Sequence, residues 1–310
     1  MNSVPLESTF CETLLDGSSF PQCLCIGNKG SGKTFFALKV VRFLLESPKS
    51  PYKKFHIVSP VAKFEQSDSY AFLKDWGVEA KRDKVVYMYP TYKSSLAQAI
   101  VMRKTTAEEG EDPPCPLFVM IDDMAAGSAD NIKKCPYLPD LCCTSRHRKT
   151  TLFFISHSLT AAVGGNTGLL SPWVRQTAAY VIAMRCNSAS LVQQVFDEYI
   201  SLISLTNGGE QKEGGEGDQE PEQQKTNAYL AFASAFNRHT MGVLKGTTYV
   251  MSHKGICINA SGGLLDDSVR EWLQGYECDR ASKGTKRKNV SLVEKDGDTE
   301  LPGDEPAAKR

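Results

Sequence analysis

The chain has no net charge: 36 lysines and arginines stand against 36 aspartates and glutamates over 310 residues. A protein-wide field that would gather a polyanion or an anionic membrane surface is thereby excluded, so any such contact rests on local clusters. Long apolar runs are missing too. No segment approaches the ~20 residues that span a bilayer, and the expectation is no membrane span. The opening stretch MNSVPLESTFCETLLDGSSF holds Glu7, Glu12 and Asp16 and no basic start, which argues against a secretory leader and a secreted protein. The ten cysteines include no CxxC pair, so a zinc ribbon or finger is not indicated. Cys142 and Cys143 are adjacent, a poor geometry for a mutual disulfide. Cys135, Cys142, Cys143, His147 and His157 cluster in sequence, but ordinary buried thiols explain them better than a metal cage does.

What is present is a repeating alternation. Six short apolar runs, at 22–27, 55–60, 84–90, 117–122, 151–156 and 178–184, read as strands. GKTFFALKVVRFLLES, SYAFLKDW and SSLAQAIVMRK, lying between them, read as helices. The strands are nearly continuous in apolar character, which predicts a mostly parallel sheet covered on both faces. Strand and helix in turn predict an α/β, doubly wound fold.

The organisation predicted is an N-terminal segment (1–20), a core (21–205), a flexible acidic Gly/Glu/Gln-rich linker or loop (206–227), an α+β extension (228–280) and a disordered charged tail (281–310). The linker stretch NGGEQKEGGEGDQEPEQQKTN has no large apolar residue and cannot build a core. Within the extension, TNAYLAFASAF reads as a helix and GTTYVMSHKGICINA as a hairpin turning near His253–Gly255.

Residues 27–34, GNKGSGKT, fit the phosphate-loop pattern G-x-x-x-x-G-K-[ST] through Gly27, Gly32, Lys33 and Thr34. Such a loop curls so that its amides, here those of Gly27, Asn28, Lys29, Gly30, Ser31, Gly32, Lys33 and Thr34, converge on phosphate oxygens. Lys33 is expected to reach the β- and γ-phosphates and the Thr34 hydroxyl to ligate Mg²⁺. The helix behind the loop offers its free N–H groups to the same anion. A partner acid is expected at a neighbouring strand end, and LFVMIDDM supplies Asp122 for the Mg²⁺ shell and Asp123 to orient or deprotonate water. A strand and a helix (84–104) fall between loop and acids, the arrangement of P-loop ATPases with an additional strand. No N-K-x-D stretch is available to read guanine. ATP and Mg²⁺ are the cofactors implied.

The segment TSRHRKTTLFFISHS sets Arg146, His147, Arg148 and Lys149 before one strand and Ser156–His157 after it. The carboxyl end of that strand should open on the γ-phosphate, where His157 can sense phosphate or place water. The cations fall at the other end, where Arg146 or Arg148 could reach a neighbouring subunit's nucleotide or form a solvated or DNA-facing patch.

Taken in order, GNKGSGKT, LFVMIDDM and SRHRKTTLFFISHS resemble the viral genome-packaging ATPases of the FtsK–HerA superfamily, those of double-jelly-roll-capsid and polinton-like viruses. The resemblance covers roughly residues 20–205. Arg146–His147 matches that family's Arg-His pair, and His157 stands where its members carry a polar residue, typically Gln. The resemblance implies a RecA-like core with an additional strand and a ring of five or six subunits. Such a ring hydrolyses ATP and drives double-stranded DNA into a capsid through its portal vertex. It also implies residence inside a host cell, in the nucleus if the basic KRK at 286–288 acts in import, and association with the virion or procapsid. A helicase or DNA pump without a capsid, and an ATP-gated binding module with little turnover, are the alternatives.

Overall fold

A computed structural model describes residues 6–60, 65, 68–78, 83–104, 114–122, 132, 134–159, 170–186 and 188–200. From there on it describes 226, 229–230, 232–234, 236–237, 244–245, 248–249, 256–259 and 264–265. Helix α1 (Leu6–Leu15) leads into strand β1 (Gln22–Ile26), the phosphate-loop segment and helix α2 (Lys33–Glu46). Strands β2 (Lys54–Val58), β3 (Val85–Tyr89), β4 (Leu117–Ile121), β5 (Thr150–Ser156) and β6 (Tyr180–Ala183) follow, with short helices between them.

These six strands are parallel and run in the order β6-β1-β5-β4-β2-β3. Every residue of β1, β4 and β5 is buried, as strands covered on both faces require. Alternate side chains divide the core in two. Leu24, Ile26, Val119, Ile121, Leu152 and Phe154 face one way, packing with the helices Ser94–Val101, Leu138–Thr144 and Ala189–Val195. Cys23, Cys25, Phe118, Met120, Phe153 and Ile155 face the other, against α1 and α2. Phe36, Val40, Val41, Leu44 and Leu45 are buried on α2, the i, i+4 recurrence of a helix laid on a sheet.

Two expectations need correction. Cover on both faces fails at the edge: β3 pairs with β2 on one side, and Val85, Tyr87 and Met88 are each at least 40% exposed. An apolar run therefore does not by itself certify a buried strand. The hairpin near His253–Gly255 is also not the pairing formed. Thr248–Tyr249 (β8) pairs with Leu244–Lys245 (β7), whereas Ile256–Asn259 (β9) joins the main sheet antiparallel to β6 and pairs with Leu264–Leu265 (β10). The open edge of β6 supplies the physical reason, since an unpaired strand edge needs covering. The expected helix around 226–237 is present where described, with Phe232 and Phe236 buried and Phe232 packed against Phe196. The linker at 206–225 and the tail at 281–310 lie outside the described residues.

Topology selects one crevice. The chain leaves β1 for β2 on one side of it and leaves β5 for β6 on the other, although β1 and β5 are neighbours. Ligands of open α/β sheets enter where connections diverge in this way, at the carboxyl ends of the strands.

Candidate nucleotide site

Register brings the site residues together before any side chain is considered. Ile26 pairs with Ser156, which sets the start of the phosphate loop beside His157. Val58 pairs with Ile121, which sets Ser59 beside Asp122, and the Asp122 N–H donates to the Val58 carbonyl at 2.8 Å.

Gly27 is irreplaceable on steric grounds. Its φ is +151°, and a Cβ there would lie 2.8 Å from both Met184 Cβ and Ser31 Oγ. Gly32 caps α2 in the left-handed region at φ 92° and offers no side-chain cap. The first-turn amides of α2 are thus left for an incoming anion, the usual basis of phosphate binding at a helix N-terminus. The Ser31 hydroxyl, in a residue 5% exposed, is buried without a hydrogen-bond partner among the described residues, and a phosphate oxygen would answer that orphan.

Lys33 is 4% exposed. Its Nζ donates to the carbonyls of Gly27 and Asn28, each at 2.7 Å, and lies 3.0 Å from Nδ1 of His157. An ammonium has only protons to give, so Nδ1 accepts and the ring carries its proton on Nε2. The histidine thus presents an acceptor to Lys33 and keeps a donor at its opposite corner. That is the donor–acceptor pair an amide would supply, divided across the ring.

Asp122 is fully buried. The Thr34 hydroxyl lies 3.1 Å from each of its carboxylate oxygens. A hydroxyl and a carboxylate side by side are the hard oxygen donors that suit Mg²⁺. No cluster of three or more His, Cys, Asp or Glu side chains able to hold a metal occurs among the described residues. Asp123 lies outside the described residues.

Two groups beside Asp122 carry no motif: the Tyr70 hydroxyl donates to its Oδ2 at 2.7 Å, and Ser59 Oγ lies 3.3 Å from the same oxygen. Ser59 was discoverable as the residue after an apolar strand. Tyr70 gave no signal within SYAFLKDW.

The cations ahead of β5 lie at the other end of the strand, away from this crevice. Arg146 is exposed and lines an open cavity of about 670 Å³ with Gln22, Arg175, Thr177 and Glu198. Arg148 is half-buried, and its guanidinium donates to the Arg103 carbonyl. Cys142 lies in the core, where burial pushes its thiol up to about 12. No helix among the described residues is long and apolar enough to cross a membrane.

Comparison with known proteins finds no matching family model and no matching curated protein. Solved structures do match. The DNA-packaging ATPase B204 of Sulfolobus turreted icosahedral virus is 14% identical, covering 61% of this chain and 87% of its own at a TM-score of 0.41. The genome packaging NTPase B204 of Sulfolobus turreted icosahedral virus 2, bound to ATP-gammaS, is 13% identical over 62% and 87% at 0.39. The cytoplasmic domain of the type VII secretion ATPase EccC of Thermomonospora curvata is 14% identical over 80% and 23% at 0.40.

Proposed function

We propose that this chain is the subunit of a ring motor that hydrolyses Mg·ATP and translocates double-stranded DNA into a preformed capsid. One observation carries the nucleotide half of this reading. Thr34 stands 3.1 Å from the buried Asp122 carboxylate, with Lys33 beside His157, all at the carboxyl edge of a parallel sheet. Thr34 and Asp122 would hold Mg²⁺, which when bound offsets the negative charge of the phosphates. Lys33 leaves the loop carbonyls to meet the β- and γ-phosphates. His157, released from Lys33, offers a hydrogen bond at the γ-phosphate, and Asp123 orients the attacking water. Arg146, exposed at the far edge, is free to enter a neighbour's site and steady charge in the transition state.

The DNA and capsid half rests on the family resemblance around Arg146–His147 and His157, and it carries the expected location in the host interior and on the virion. The core at 21–205 is its engine, completed at one edge by β9 from the C-terminal region. The deciding experiment measures ATP hydrolysis with and without double-stranded DNA while recording assembly state. Several-fold stimulation in the assembled form is expected. Hydrolysis indifferent to DNA and to assembly would leave an ATP-gated binding module instead. A DNA-stimulated rate that stays the same when procapsids are added would point to a helicase or pump.

A further inference from the structure

Tyr70 ends the short turn Asp68–Tyr70 that leads into the helix Ala71–Val78, and it is wholly buried. This turn packs against α2, so the tyrosine lies between the helix carrying Thr34 and the strand end carrying Asp122. Its hydroxyl donates to Asp122 Oδ2 at 2.7 Å and stands 3.0 Å from the Ser59 hydroxyl. Ser59 Oγ is itself 3.3 Å from Oδ2, and Ser59 is fully buried as well. Three hydroxyls, from Thr34, Ser59 and Tyr70, therefore surround one carboxylate.

We propose that Tyr70, assisted by Ser59, is a positioning residue for the metal site: it holds the Oδ2 side of Asp122 so that the carboxylate meets a divalent ion together with Thr34. The proposal rests on the nucleotide reading above. A carboxylate removed from water must be hydrogen-bonded or it becomes very costly. Donors could be cationic or neutral, and the choice matters here. A lysine or arginine at Tyr70 would satisfy Asp122 and also cancel the charge that attracts Mg²⁺. A hydroxyl bonds the oxygen, through a charge-assisted bond stronger than a neutral one, and brings no positive charge of its own. Tyr70 also fixes distance: an aromatic ring locked in the core admits little error, whereas a long flexible donor would let the carboxylate turn.

The test is Tyr70→Phe, which removes one oxygen and keeps the ring, read as ATP-gammaS affinity by calorimetry with and without Mg²⁺. Tyr52→Phe is the matched control, because the Tyr52 hydroxyl is equally buried but bonds Thr151 at the far end of the sheet, 2.7 Å away. In Tyr70→Phe the Mg²⁺-free affinity should stay within about two-fold of wild type, and the strengthening by Mg²⁺ should shrink about ten-fold. Ser59→Ala should shrink it about three-fold, and it decides the matter should Tyr70→Phe fail to fold. Tyr52→Phe should leave it unchanged. Undiminished strengthening in the Tyr70 and Ser59 variants overturns the proposal. So does an equal loss of affinity with and without Mg²⁺, or the same loss in Tyr52→Phe. Wild-type protein that binds no ATP-gammaS at all would overturn the nucleotide reading itself, a distinct result.

Discussion

The two ends of the parallel sheet are built from different chemistry. At the carboxyl end side chains from different elements bond one another: Thr34, Ser59 and Tyr70 on Asp122, and Lys33 on His157. At the amino end three long cations, Lys84, Arg103 and Arg148, serve the backbone. Lys84 Nζ donates to the carbonyls of Leu44, Leu45 and Ser47, closing the C-terminus of α2, whose last turn has no basic residue of its own. Arg103 and Arg148 exchange bonds with each other's carbonyls. The contrast teaches that basic residues at a strand start are no functional marker by themselves, because unpaired carbonyls gather there and need donors.

Lys33→Ala should break this comparison most severely at the carboxyl end. Hydrolysis of Mg·ATP is expected to fall at least ~100-fold, about 2.7 kcal/mol in the barrier. The melting temperature should move little, since Lys33 bonds a loop rather than a core element. Turnover at the wild-type rate would remove the phosphate loop from any catalytic role.

At the amino end the corresponding change acts on stability instead. Lys84→Met removes three ammonium–carbonyl bonds from a residue 7% exposed and should cost about 2–3 kcal/mol in chemical denaturation. The nucleotide affinity of the folded fraction should stay near wild type. If Lys84→Met unfolds at the wild-type denaturant concentration, the capping role is wrong.

Much of the carboxyl end was legible because its chemistry has fixed spacing. Gly27, Gly32, Lys33 and Thr34 are constrained by one turn, and Asp122 by the end of an apolar strand. Tyr70 was not legible, because a hydroxyl delivered across 52 residues leaves no periodic trace. The joining of β9 to β6 was equally hidden, since Ile256–Asn259 reads the same whether it pairs with a sequence neighbour or with the main sheet. The exposure of β3 shows the converse limit: edge and centre strands can share a composition and differ only in what covers them.

His56 sharpens the comparison at the sheet's open edge. It stacks on Tyr87 and Tyr89, with ring centroids 5.0 and 5.8 Å away. Burial first, then Lys54 and Arg103, lower its pKa from 6.5 to about 4. The folded chain therefore resists a proton that the unfolded chain accepts. Stability should be constant above pH 6.5, decline as pH falls from 6.5 toward 4, and level off below. The loss attributable to this residue should be up to about 2 kcal/mol, allowing for its partial exposure. His56→Phe, which keeps a stacking ring, should flatten that part of the curve. An identical pH profile in the variant would assign the loss to other groups.

The smallest effects separate the two arginines ahead of β5. Arg148→Ala should cost about 1 kcal/mol in stability, since its guanidinium serves the Arg103 carbonyl in a half-buried setting. Arg146→Ala should cost less than about 0.5 kcal/mol, because the residue is exposed. The order should reverse in assembled protein. If Arg146 enters a neighbour's site, Arg146→Ala subunits mixed into wild type disable sites on partners that are themselves intact, and activity falls faster than the wild-type fraction. Arg148→Ala mixed in the same way should give a straight line, since a bond within its own chain cannot injure a neighbour. A straight line for Arg146→Ala as well would make both arginines structural and return the amino end of the sheet wholly to the backbone.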